Sequence, residues 1–212
     1  MSQPSQAEPM KRTEFPDRPW QHLACDLLGP LPSGDSLLVT VDYFSRYIEA
    51  DIMRSTISEK VIGCLEIIFA AHGLPVSLKT DNGPQLVSEE FESFLKVNDI
   101  EHRTSTPLWP QANGEVERQN TTLLKAIRIA QAEGRDWKKE LLKFLLAYRS
   151  TPHTTTGVTL AKLLFGREIR TKIPDIQSQG TSPMYHEVKD RDHERKQRRK
   201  DYADTKRAAT ES

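Results

Sequence analysis

Cysteine is scarce in this 212-residue chain, which has only Cys25 and Cys64. The two are far apart and form no CxxC pair, so neither a disulfide framework nor a structural zinc site of the usual spacing is expected. Both fall in apolar runs and read as small buried side chains. No apolar run approaches the length that a membrane span requires. The first residues are polar and Pro-rich and lack the apolar centre of a signal peptide. A soluble, intracellular protein with no membrane partner is expected. Charge of one sign is also missing, because 30 Lys+Arg balance 30 Asp+Glu. Nucleic-acid binders are often strongly basic. The balance hides an asymmetry: residues 186–212 hold nine basic and seven acidic side chains, which leaves the rest slightly acidic. That argues against tight non-specific DNA binding by the folded part alone. No internal repeat stands out.

What is present is ordered. Hydrophobic residues make up 36% of the chain and charged residues 28%, enough for one sizeable domain plus extensions. Residues 1–19 lack periodicity and read as a disordered linker. From Trp20 three β-like runs follow closely: WQHLACDLL, SLLVTVDYF and YIEADIM. Turn residues in LGPLPSGD separate the first two, so an antiparallel meander is expected. Ser58 is expected to cap a helix in which Val61, Leu65, Ile68 and Phe69 form one apolar face, closed by Gly73. VSLKT reads as a short buried strand ending in an Asp81-Asn82-Gly83 turn. Ser88 is placed to cap a short helix, and IEHRTS reads as a further strand. TPLWPQANG is a loop, after which Asn113 is placed to cap a long helix running to about Ala132. Gly134 and Asp136 separate this from a second strong helix, WKKELLKFLLAYRS, and Thr159 is placed to cap a short third one. The order β-β-β-α-β-α-β-α-α gives an α/β fold, a mixed sheet with helices on both faces. Residues 184–208 are nearly all charged and read as either a lone solvated helix or disorder.

Three acids stand where an acidic side chain is awkward. Asp26 interrupts an apolar strand, Asp81 ends one, and Glu117 opens the long helix. Carboxylates are rarely buried unless they are paired or hold a metal. Delivered from two strands and a helix, the three suggest a cage for hard cations such as Mg²⁺. A pair of such ions can drive in-line attack on a phosphodiester. Each acid alone also has an ordinary reading, as a salt-bridged strand acid, a turn residue and a first-turn helix acid. Glu117 shares its helix face with Asn120, Thr121, Leu124 and Arg128, polar enough to border a substrate. Glu115 points elsewhere, because a two-residue step rotates by roughly 200°.

KTDNGPQ followed by PQANGEVERQN resembles the catalytic core of retroviral and long-terminal-repeat retrotransposon integrases, especially gypsy-type elements. RPWQHLACDLLGPLP resembles the first catalytic strand of that family, and LLVTVDYFSRYIEA its next two. LLKFLLAYRSTPHTTTGVTLAKLLFGRE resembles the segment after the catalytic helix. The resemblance covers residues 17–175 and includes the family's 35-residue interval between the second and third acids. It implies an RNase H-like, five-stranded catalytic core over 20–175, preceded by the linker 1–19 and followed by the charged tail 176–212. It implies that Asp26, Asp81 and Glu117 hold two Mg²⁺ (or Mn²⁺) ions. Asn82 and Gly83 match the turn after the second acid, and Asn120 a polar position beside the third. The expected DNA-contacting residues are Asn82, Trp109, Gln111, Asn113, Asn120, Lys125 and Arg128. Trp109 stands where relatives usually have His, and either ring can stack on a base. The implied activity is removal of two nucleotides from DNA 3′ ends and joining of those ends to target DNA. The implied setting is a homo-oligomer on DNA, in the nucleus. Relatives carry an upstream His-His-Cys-Cys zinc domain and a downstream SH3-like or chromo-type domain, and neither is expected within these residues.

Other polar residues have plainer readings. Asp35 and Asp42 are expected at turns or strand ends. His72 and His102 are expected to be exposed and not to bind metal. Trp20, Trp137 and Tyr148 read as packing anchors. RKQRRK at 195–200 reads as a solvated helix or as a nuclear-import or phosphate-binding patch. Two rival functions stand beside integration. One is a truncated or co-opted DNA- or protein-binding module with little catalysis. The other is an RNase H-type nuclease on the same fold.

Overall fold

A computed structural model describes residues 16–104, 114–153, 156–172, 188, 190–198 and 202, with backbone alone for 114–118. The chain divides into two units, Met1–Thr171 and Lys172–Ser212. In the second, residues 190–198 are helical and exposed, and Lys196 bridges Asp192 one turn earlier at 2.6 Å.

The first unit holds a five-stranded sheet. Its strands are β1 (His22–Leu28), β2 (Ser36–Asp42), β3 (Ile48–Met53), β4 (Ser77–Thr80) and β5 (Glu101–Thr104). Their spatial order is β3-β2-β1-β4-β5. The expected meander is present, with β1–β2 and β2–β3 antiparallel. The later strands reach β1 by crossovers, and β1–β4 and β4–β5 are parallel. The helices are α1 (Ser58–His72), α2 (Glu89–Val97), α3 (Gly114–Ala132), α4 (Trp137–Ser150) and α5 (Leu160–Phe165).

Strand alternation distributes the core over two faces. Leu23, Cys25, Leu38 and Leu78 pack with Val61, Leu65, Ile68 and Phe69 of α1 and with Phe91 and Leu95 of α2. Ala24, Leu37, Val39 and Val41 pack on the other face with Leu123, Ile127 and Ala130 of α3 and with Trp137, Leu141 and Leu145 of α4. β2 lies between β1 and β3 and all seven of its residues are buried, which explains its almost unbroken apolar sequence. Trp20 and Trp137 are buried in these clusters and Tyr148 packs against one of them.

Caps end the elements largely where turn chemistry indicates. The Ser88 hydroxyl accepts the Phe91 N–H, Asp136 accepts that of Lys138, and Thr159 accepts that of Lys162. Gly73 closes α1 at φ 94°, its N–H donating to the Phe69 carbonyl. Ser58 departs from expectation. It is the first residue of α1, Ile57 is the N-cap, and no side chain caps the helix. The Ser58 hydroxyl instead donates to the Gln85 carbonyl at 3.0 Å and accepts from Ser88 at 2.8 Å, joining the start of α1 to the turn after β4.

Asp42 is a strand-end acid as expected, but a fully buried one. Its carboxylate accepts the N–H groups of Trp20 (3.0 Å), Phe44 (3.3 Å) and Ser45 (2.9 Å) and the Ser45 hydroxyl (2.6 Å). It thereby fixes the β2–β3 turn and the chain entering β1. Asp35 bonds the Ser33 hydroxyl at 3.0 Å and Lys138 of α4 at 2.8 Å. The two histidines expected at the surface are half-buried instead. His72 bonds Glu49 at 2.8 Å and packs at a tilt against Trp20, ring centroids 4.3 Å apart, because α1 ends against β3. His102 is held between Thr80 and Glu92, because β5 pairs beside β4 under α2.

Candidate active site

Asp26 has the same strand parity as Ala24, so it belongs to the sheet face that α3 and α4 cover. It lies where that core gives way and is half-buried. Its Oδ1 accepts the Leu27 N–H at 2.8 Å, and its Oδ2 accepts the Asn120 amide at 2.5 Å. These two bonds orient the Asp26 carboxylate.

The parallel register of β1 and β4 brings in the second acid. Ala24 pairs with Lys79, and continuing that register two residues brings Asp26 level with Asp81. Neighbouring strands lie about 4.8 Å apart, and equivalent residues share a face. Asp81 is the first residue beyond β4 and is exposed. Its Oδ1 accepts the Gly83 N–H at 2.9 Å, the short turn expected of Asp-Asn-Gly. A Cβ on Gly83 would meet that same Oδ1 at 3.0 Å, so the turn favours glycine for space beside the carboxylate. Lys79 lies on the same face two residues earlier, and burial lowers its ammonium pKa.

The third acid arrives on α3. Leu123, Ile127 and Ala130 dock this helix on the sheet, and Asn120, 5% exposed, fastens it to Asp26. Glu117 is three residues before Asn120, one turn nearer the helix start and on the same flank. Its backbone is helical, and its side chain lies outside the described residues. Among the described residues, no group of three His, Cys, Asp or Glu side chains is gathered for a metal.

The donor set fits a hard divalent cation. Asp26 and Asp81 offer carboxylate oxygens at one level of adjacent strands, donors of the kind such a cation takes. Beside them the buried Asn120 Oδ1 finds no hydrogen-bond partner among the described residues.

The residues expected to touch DNA fall into three groups. Asn82, Lys125 and Arg128 are exposed. Trp109, Gln111 and Asn113 lie outside the described residues. Asn120 is buried against Asp26, so the expected direct contact with DNA gives way to a contact with one of the site's acids. Its three-residue spacing from Glu117 puts it beside the third acid, but nothing in the sequence signals its contact with Asp26.

Similarity to known proteins agrees with this geometry. Residues 16–110 match the integrase core domain family. An uncharacterized protein of Caenorhabditis elegans is 40% identical over 164 residues, which are 77% of this chain and 13% of that protein. The Gag-Pol polyprotein of baboon endogenous virus is 35% identical over 133 residues, 61% of this chain and 8% of the polyprotein. The chain thus spans a small part of the length of these relatives. Its fold matches a chain of the simian T-cell lymphotropic virus intasome in complex with a PP2A regulatory subunit, at TM-score 0.69 and 24% identity. That match covers 85% of this chain and 66% of the other. The HTLV-2 integrase catalytic core in complex with magnesium matches at TM-score 0.59 and 22% identity, over 70% of this chain and 98% of that one. The five-stranded mixed sheet is the RNase H-like fold of such cores, and the match over residues 16–110 identifies an integrase core domain in this chain.

Proposed function

We propose that this chain is the catalytic core of an integrase that processes DNA 3′ ends and joins them to target DNA. In this reading Asp26, Asp81 and Glu117 hold two Mg²⁺ (or Mn²⁺) ions. The observation that carries it is the level placement of Asp26 and Asp81 on parallel strands, with α3 fastened to Asp26 through Asn120. Such ions, when bound, activate an attacking water or 3′-hydroxyl and stabilise the leaving oxygen. The protein's share is positional. β1 and β4 present two carboxylates from rigid elements, Asn120 and the Leu27 N–H fix the rotamer of Asp26, and the Gly83 N–H fixes that of Asp81. No side chain is required to form a covalent bond with the DNA. Asn82, Lys125 and Arg128 contribute exposed donors to phosphates, and Trp109, Gln111 and Asn113 complete the proposed DNA-facing set, while the buried Asn120 acts through Asp26 instead of touching DNA. DNA ends and target duplex are the partners, a homo-oligomer is the working form, and the nucleus is the location. The domain plan is a linker over 1–19, a core over 20–175 and a charged tail over 176–212. A gypsy-type origin belongs to the same reading, and reverse-transcriptase sequence upstream in the genome would mark it.

The test is Glu117→Gln beside Glu115→Gln in a Mg²⁺-dependent strand-transfer or disintegration assay. Loss of joining with Glu117→Gln alone supports the assignment. Loss with Glu115→Gln alone, or with neither, overturns it.

A further inference from the structure

Asp81 is held from both sides of the sheet. Its carboxylate belongs to the face that carries Asp26. Thr80, the residue before it, points to the opposite face and is fully buried. There the Thr80 hydroxyl donates to the main-chain carbonyl of Asp81 at 2.9 Å and lies 2.8 Å from His102 Nε2. The His102 ring is 8% exposed and packs edge-on against Phe91 at 5.6 Å. Its Nδ1 meets Glu92 Oε1 at 2.6 Å. A carboxylate only accepts, so this contact makes Nδ1 the donor and sets the ring orientation; a ring carrying that one N–H presents Nε2 as an acceptor, so the single Thr80 hydroxyl proton is shared between Nε2 and the Asp81 carbonyl. α2, β5 and the end of β4 are thus joined in one line: Glu92, His102, Thr80, Asp81.

We propose that His102, anchored by Glu92, is a positioning residue for Asp81. It acts through Thr80 and sets the main-chain geometry from which the Asp81 carboxylate and its Gly83 bond depart. Three features favour this over ordinary core polarity. Thr80 spends its hydroxyl on the carbonyl of the acid itself. β4 is only four residues long, Ser77–Thr80, so Asp81 lies just past the end of the strand. The ring that completes the line comes from the edge strand β5, and its far nitrogen is fixed by a carboxylate on a separate helix. Groups that support a metal ligand from behind shift metal affinity without touching the metal.

The inference rests on the proposed role of Asp81 as a metal ligand, so the experiment tests both. Mn²⁺ binding to the full chain is measured directly from the free-ion electron paramagnetic resonance signal, with hydrogen exchange of the Gly83 amide as a second readout. Four variants are compared: Asp81→Asn, His102→Ala, His102→Gln and Glu92→Gln. Asp81→Asn is expected to abolish the tightest binding. His102→Ala is expected to weaken it about tenfold, the lower end for supporting groups, and to speed Gly83 exchange. His102→Gln, which keeps an amide beside Thr80, is expected to recover most of the loss. Glu92 is half exposed, so Glu92→Gln keeps the fold and is expected to give an intermediate loss should His102→Ala fail to fold. If Asp81→Asn abolishes binding while the folded His102 and Glu92 variants bind Mn²⁺ and exchange at Gly83 like the parent, the positioning role is wrong. If Asp81→Asn itself leaves binding unchanged, the metal assignment fails instead.

Discussion

Replacing Asn120 by alanine separates a functional contact from a stabilising one. The Asn120 amide donates to Asp26 Oδ2 at 2.5 Å, a charge-assisted bond of a kind that contributes about 1.5–3 kcal/mol. Its Oδ1 is buried without a partner among the described residues, and an unsatisfied buried acceptor costs about 1–3 kcal/mol. Asn120→Ala removes both, so the two nearly cancel and stability is expected to change by no more than about 1 kcal/mol. For a domain of this size that is a shift in Tm of about 2–4 °C. Function has no such cancellation. Asp26 keeps the Leu27 N–H on Oδ1 but loses the contact that fixes Oδ2 and ties α3, with Glu117, to β1. Loss of a group that orients a ligand lowers metal affinity or activity about 10- to 100-fold. Thermal melts and Mg²⁺-dependent strand transfer, run on the same preparations, test the two halves. A drop in Tm well beyond about 4 °C would show that Asn120 is chiefly structural. Parent-like strand transfer at unchanged Tm would refute the positioning argument.

Two further outcomes follow from buried groups outside the proposed metal site. Asp42→Ala leaves the N–H groups of Trp20, Phe44 and Ser45 without their acceptor, so urea unfolding is expected to show a loss of about 3–5 kcal/mol; a loss under about 1 kcal/mol would mean that the turn reorganises freely. Burial pushes the Cys25 thiol up from an ordinary 9.0 to about 12, and since the folded value is the raised one, the stability from keeping this thiol neutral is complete below pH 9 and is lost as pH rises toward 12. Alkaline urea titrations of parent and Cys25→Ala are expected to diverge across that window. Parallel curves would show that Cys25 is not shielded.

The sequence revealed the elements more readily than their contacts. β1, β2 and β3 are legible because each is a short apolar run bounded by turn residues, and α1 because Val61, Leu65, Ile68 and Phe69 recur at helical spacing. Ser88, Asp136 and Thr159 are readable as caps because a cap acts within a few residues of its own position. Ser58 misleads for the same reason. It has the composition of a cap, but its hydroxyl is taken by Gln85 and Ser88, about thirty residues away in sequence and adjacent only after β4 has paired. The histidines mislead likewise, since polarity alone does not report that His72 meets Glu49 and Trp20, or that His102 meets Thr80.

The candidate site shows the same division. The choice of Asp26, Asp81 and Glu117 as the proposed site comes from the residues around each acid. That the first two stand level is not readable there, because their separation in sequence says nothing about the register of β1 against β4. The register is set by packing: Leu23 and Leu78 are fully buried partners on the α1 face. A slip of one residue would turn Leu78 toward the wrong face and Asp81 away from Asp26. The apolar core on one side of the sheet therefore fixes the alignment of the acids on the other. Substitutions at Leu23 or Leu78 that preserve folding but loosen this pairing should impair metal binding from a distance, while those confined to β3, at the far edge of the sheet, should change stability with little effect on the acids.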